Sequence, residues 1–245
     1  MIHIDAKDMH YRALNEQIRE LAANDVPEVE IDNVCGQKFI GDGIKSKLKI
    51  YINGIPGNDL AIFMDGPEIT VRGNGQDGIG NTMNSGKVII HGNAGDVIGY
   101  AMRGGKVFIK GDVGYRVGIH MKAYQDNIPI IVIGGGASDF FGEYMAGGIM
   151  VLLGLDKDDG KPLAGDYVGT GMHGGVIYVR GDIDDRYLGR EVVKSEPDAK
   201  DISTLGKLVG EYCTHFGCDF DDIMRKPFIK LAPKSHRPYG NLYTS

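Results

Sequence analysis

The sequence predicts a mainly β chain, wound as a single-stranded right-handed parallel β-helix of about 19 residues per coil, with a capping helix at each end. Three observations predict it: a recurring glycine pair around short apolar segments, a constant spacing between those segments, and columns of equivalent apolar residues. The pair, six positions apart, brackets Gly86–Gly92, Gly105–Gly111, Gly148–Gly154 and Gly175–Gly181, with Pro67–Gly73 as an earlier variant. Gly73, Gly92 and Gly111 stand 19 residues apart, and Gly80, Gly99 and Gly118 follow each by seven positions. The later pairs Gly142/Gly148 and Gly169/Gly175 keep the same internal step. A fixed period of this size marks a solenoid, whose repeats bury their apolar face only by stacking on one another.

From the amino terminus, Asp8 is the expected cap of a helix running to about Ala23, with Tyr11, Leu14, Ile18 and Leu21 on one face. This arm, residues 1–32, is expected to cover the first coils. The β-helix is expected over 33–190. Within it, Ile69/Val71, Val88/Ile90, Val107/Ile109, Met150/Leu152 and Ile177/Val179 are apolar, while early intervening positions such as Glu68, Arg72, Lys87 and Lys106 are polar. Such alternation selects strand over helix. Met83, Met102, Met121, Met145 and Met172 fall three residues past successive middle glycines, and Ile79, Ile98, Val117, Phe141 and Val168 just precede them. Both series read as internal ladders. At roughly 4.8 Å per strand, the stretch from Gly73 to Gly181 makes about six coils. Glycine suits the corners because sharp bends require positive φ or leave no room for a Cβ.

In the coil ending at Gly154 the outward residues Ile149, Val151 and Leu153 are as apolar as the inward ones. Either a helix of this chain or another subunit must shield them, and the helix is the expected cover. Residues 191–245 supply a charged linker over 194–200 and then a helix opened by Asp201 or Ser203, with Ile202, Leu205, Leu208, Val209 and Tyr212 at helical spacing. Phe216, Phe220, Ile223, Phe228 and Leu231 continue the apolar supply. The tail, 233–245, is rich in turn formers and is expected to reach a neighbour or lie extended.

At 245 residues the chain can build its core as one domain without metal or disulfide staples. Its net charge of −6 is interspersed, with no basic block to track a phosphate backbone, so nucleic acid is not an expected partner. Three cysteines with no CxxC pair fit a reducing compartment. No signal-like amino terminus and no long apolar window appear, so a cytoplasmic protein without membrane contact is expected.

Several residues invite a chemical reading. Gly73–Gly78 matches GxGxxG literally, but the sequence leads from it into another glycine-caged strand, where a dinucleotide fold needs a helix. His91, His120 and His173 occupy different repeat positions and form no column. Asp112 and Asp182, with Asn74 and Asn93 at the equivalent turn position, would suit a polysaccharide-cleaving enzyme if paired, yet Asp and Asn also sit in turns for local bonding. Cys35 is not N-terminal and lacks an evident base, while Cys213 and Cys218 are two thiols short of an ordinary iron–sulfur site. No catalytic, cofactor-binding or metal-binding residue is assigned, and a scaffold or interaction protein is expected.

Residues 33–41, 92–105 and 165–175 carry a resemblance covering nearly the whole chain. They resemble the GXGXG domain at the C-terminal end of the glutamate synthase large subunit, in its free-standing form as a separate subunit of some archaea and bacteria. The resemblance implies a non-catalytic spacer between an amidotransferase that releases ammonia from glutamine and an FMN and iron–sulfur synthase centre. The partners it implies are those two subunits, which would carry the cofactors, and a homo-oligomer is compatible. The chain is also similar to the β-helical subunit of the formylmethanofuran dehydrogenase complex, again a non-catalytic component. A stand-alone carbohydrate-active β-helix enzyme is the third expectation.

Overall fold

The computed structural model describes residues 1–155, 157 and 162–235. One sheet of eleven strands runs through them: β1 (Ile2–Asp5), β2 (Glu28–Cys35), β3 (Lys49–Ile55), β4 (Asp65–Val71), β5 (Ser85–Ile90), β6 (Lys106–Ile109), β7 (Ile130–Ile133), β8 (Ala146–Leu152), β9 (Gly174–Arg180), β10 (Val192–Ser195) and β11 (Phe228–Pro233). Strands β1 to β9 pair in sequence order and in parallel. Strand β11 then adds antiparallel to β9, and β10 antiparallel to β11. The architecture is the expected β-solenoid.

The columns read from the sequence are rungs of this stack. Ile50, Ile69, Val88, Val107, Ile131, Met150 and Ile177 pair successively, and all are fully buried. The methionines form a single file, because each following residue donates its amide to the methionine carbonyl one coil back. Arg103 bonds Met83 at 2.9 Å, Lys122 bonds Met102 at 3.0 Å, Ala146 bonds Met121 at 2.8 Å and His173 bonds Met145 at 2.9 Å. The second ladder behaves alike: Gly99, Gly118, Gly142 and Gly169 donate to Ile79, Ile98, Val117 and Phe141 at 2.7–2.8 Å. Gly99 shows why glycine holds these corners. Its φ is +68°, and a Cβ there would run into the Ile131 side chain of a neighbouring coil.

The stack is longer than the glycine pairs indicate. It begins at β1, so the boundary at residue 33 is corrected: the expected helical arm contains the first strand and most of the second. Strand β3 has Gly54 in phase with Gly73 but no opening glycine. Strand β7 is followed by Gly135 at the closing position but has Pro129 at the opening position, and it follows a longer coil, in which equivalent turn residues are 24 apart. The coil between β8 and β9 is longer still, at 27.

Helix α1 (Tyr11–Ala23) lies within the first coil, with Leu14 and Ile18 fully buried and Asn15 Nδ2 bonding the Lys38 carbonyl at 2.8 Å. Its cap is His10, not Asp8, whose φ of 58° takes it out of the helix start. Helix α2 (Ala199–Phe216) begins earlier than expected, because Asp198 is the cap and Asp201 closes a reciprocal capping box. It ends at Gly217 in the left-handed region. A short helix α3 (Phe220–Arg225) leads into β11.

The second helix is not an end cap. It lies against the outer face of β6–β9, where Leu205, Leu208, Val209 and Tyr212 meet Phe108, Val132, Val151, Leu153 and Tyr178 in a second core. The solenoid instead ends on β11 and β10, whose Leu231 and Val192 join the main core. The segment expected as a linker accordingly contributes Lys194 and Ser195 to β10. Most of the expected extended tail, residues 236–245, lies outside the described residues.

Candidate functional site

The turn after each strand collects the polar residues that invite a chemical reading, and its geometry shows what they do. Asn74 Oδ1 accepts the Asn93 amide at 2.9 Å, Asn93 Oδ1 accepts the Asp112 amide at 2.9 Å, and Asp112 Oδ1 accepts the Gly136 amide at 2.7 Å. A parallel series runs Asp77 to Asp96 at 2.9 Å and Asp96 to Tyr115 at 2.8 Å. Each side chain caps a backbone donor of the next coil, which the irregular turn would otherwise leave without a partner. It also occupies the space a Cβ would need on Gly92, Gly95, Gly111 and Gly114, which ties the glycines of the motif to its Asx residues.

The GxGxxG segment is therefore two rungs of these ladders, and strand β5 follows it, so no helix N-terminus faces Gly73–Gly78. Asp112 and Asp182 lie after β6 and β9, three strand spacings or roughly 14 Å apart, too far for the paired carboxylates of a glycosidase. Burial works to raise the Asp112 carboxyl, but the Gly136 amide and Lys157 hold it below the usual carboxylate range. Lys194, 2.6 Å from Asp182, does the same there with the help of the Ile183 amide.

The three histidines stay apart in role, as their repeat positions indicate. His91 packs edge-on to Phe216, and burial, then Lys110 and Arg72, push its pKa down. His120 stacks on Tyr144, and His173 Nδ1 lies 3.2 Å from the Gly171 carbonyl. Cys35 is exposed, with its amide donating to Gln37. Burial, then the neighbouring Cys218 and Asp219, raises the Cys213 thiol, the opposite of what a reactive thiolate needs. Among the described residues no three His, Cys, Asp or Glu side chains are placed to hold a metal ion. No helix among them is long and apolar enough to cross a membrane.

What the sequence does not reveal is the polar clasp that seats α2. Asp201 accepts the Tyr178 hydroxyl at 2.5 Å and Lys230 Nζ at 2.8 Å. Burial opposes the Asp201 charge, yet Lys230 and Tyr178 hold its pKa down, while burial and Asp201 push the Tyr178 hydroxyl up. Further along the helix, Glu211 bonds Lys87 at 2.8 Å and Lys106 at 2.5 Å, and these bonds outweigh burial in keeping it ionised. One turn beyond, His215 packs on Phe108 with Nε2 buried and without a hydrogen-bond partner. The signal available in sequence is the charge alternation of the outer positions, which cannot say which helix crosses them.

The comparisons with known proteins agree with this architecture. The GXGXG motif family model matches residues 17–234. An uncharacterised protein of Methanocaldococcus jannaschii is 52% identical over 250 residues, covering 98% of this chain and 95% of that protein. A chain in the crystal structure of the formyltransferase/hydrolase complex from Methylorubrum extorquens, solved with methylofuran, superposes with a TM-score of 0.60 at 19% identity, over 95% of this chain and 96% of that one. That likeness is one of fold. Ladders, glycine corners and family match converge, and the chain belongs to the GXGXG family.

Proposed function

We propose that the chain is a rigid, non-catalytic spacer subunit of glutamate synthase, holding an amidotransferase and an FMN and iron–sulfur synthase subunit in register for internal ammonia transfer. The observation that carries the reading is the use made of the turn carboxylates and amides. Asn74, Asn93, Asp77, Asp96 and Asp112 each bond the next coil's backbone, so the polar rim serves to hold the stack rigid. A stack with rungs tied at both strand and turn is suited to fixing a distance between two bodies. Family membership supports the same role.

A second reading has its own support. The fold likeness to a chain of the formyltransferase/hydrolase complex favours a scaffold subunit of a formylmethanofuran-type assembly. Affinity purification of the tagged chain from its native host, with mass spectrometry and cofactor analysis of what co-purifies, separates the two. Glutaminase and FMN-containing chains support the glutamate synthase role, whereas a metallopterin chain replaces it with the second. Turnover by the isolated chain would overturn both.

A further inference from the structure

We propose that the short side of the coil between its two left-handed corners is a homodimer interface, and that the two solenoids lie side by side about a two-fold axis parallel to the stack. On coils five to eight this side carries Tyr100, His120, Phe140, Tyr144 and Tyr167. Tyr100, Tyr144 and Tyr167 are 40%, 41% and 54% exposed. Their rings form two rows: His120 lies 5.4 Å from Tyr144 and 6.0 Å from Tyr100, while Phe140 stacks on Tyr167 at 5.1 Å with the Arg116 guanidinium 4.4 Å above it.

Backbone conformation sharpens the point. His120, Tyr144, Phe140 and Tyr167 have φ of 55°, 50°, 63° and 64°, a left-handed corner that every coil repeats in these two columns with glycine, as at Gly43, Gly78 and Gly171, or with other residues such as Asp59, Thr82 and Ala101. Glycine is the relaxed residue at such corners. Large rings there contribute nothing to the main core, which excludes them. A run of large rings at corners that several other coils fill with small or polar residues, outside the main core and still partly exposed after stacking, is what an interface anchor looks like.

Charge selects the occupant. Within the patch Arg116 pairs with Glu143, leaving it neutral. Chain order puts Asp96, Asp139 and Asp166 along one margin and Arg103, Lys122 and His173 along the other. A two-fold axis along the stack sets Asp96 opposite the mate's Arg103 and Asp166 opposite its His173, coil against like coil, with Tyr115 facing Lys122 and Ala146 facing Asp139 on the two coils between, whereas an axis across the stack sets acid against acid. A second copy of this chain therefore places opposite charge at both ends of the ring patch at once, Asp96 with Arg103 and Asp166 with His173.

The test is sedimentation velocity of the purified full chain across a concentration series, with Tyr144→Glu and Arg103→Glu as variants and melting temperature as the folding control. The expected result is a reversible dimer that each variant weakens about 10-fold or more, Arg103→Glu without loss of melting temperature. Single cysteines at Tyr100 and at Thr170, with Cys35, Cys213 and Cys218 replaced by serine, should each crosslink to themselves, since the axis matches coil to like coil. A monomer at every concentration overturns the proposal, as does a dimer insensitive to Arg103→Glu or crosslinking at only one of the two positions. So does a patch that becomes protected only when the co-purified subunits are added.

Discussion

Asn93 is at once an acceptor for the coil above and the reason Gly111 has no side chain. Replacing it with alanine leaves the Asp112 amide without its partner, so Asn93→Ala should cost about 1 kcal/mol in urea unfolding, with faster hydrogen exchange at that amide. Asp should substitute with little loss, because neighbouring rungs already use it. Gly99 is less forgiving. Gly99→Val combines a β-branched side chain at a φ of +68° with intrusion on Ile131 and should cost roughly 2–4 kcal/mol, whereas the exposed Lys47→Ala should stay within about 0.5 kcal/mol by the same assay. These columns are legible in the sequence because stacking forces equivalent residues into equivalent environments. The reach of an Asx side chain into the next coil is not legible, since spacing marks the turn but not the direction of its oxygen.

The second helix answers a question the sequence leaves open, namely what covers Ile149, Val151 and Leu153. Val151 is fully buried under α2, so Val151→Asn should lower stability by about 3 kcal/mol through an unpaired buried amide, roughly 6–12 °C in melting temperature, while leaving assembly with partner subunits unchanged. The seat of α2 also titrates. Burial, then Lys87, holds the His215 pKa below its usual value, with Glu211 and Glu68 opposing and His91 adding a smaller push in the same downward direction. A folded-state pKa below the unfolded one means the unfolded chain binds more protons in that window. Stability is therefore complete above about pH 6.5 and falls as pH drops below it. Melting scans between pH 7.5 and 5.5 should show that fall, and His215→Phe should flatten it, apart from a slope of the same sign from His91. The helix itself is readable from its apolar spacing, and its start, expected at Asp201 or Ser203, falls late because Asp201 is the N3 partner of the Asp198 cap. Its docking on the flank of the sheet is a tertiary fact: β10 and β11 close the end that the helix was expected to close.

At the scale of the molecule, the proposed spacer role rests on length. A solenoid whose rungs are bonded at strand and turn fixes the distance between whatever binds its two ends, and each further coil should change that distance by one strand spacing. Coils of 24 and 27 residues show that the stack absorbs extra loop without losing register. The repeating part of this design is plain in the sequence, and the irregular coils are not, because insertions break the period while leaving the inward columns intact at Ile131 and Ile133. The most direct test is to duplicate residues 74–92, one complete 19-residue period, and measure the axial dimension by small-angle X-ray scattering alongside urea unfolding. The account predicts a folded chain longer by about 4.8 Å with a single cooperative transition. An unchanged length, with the added residues protruding as a protease-sensitive loop, would contradict it.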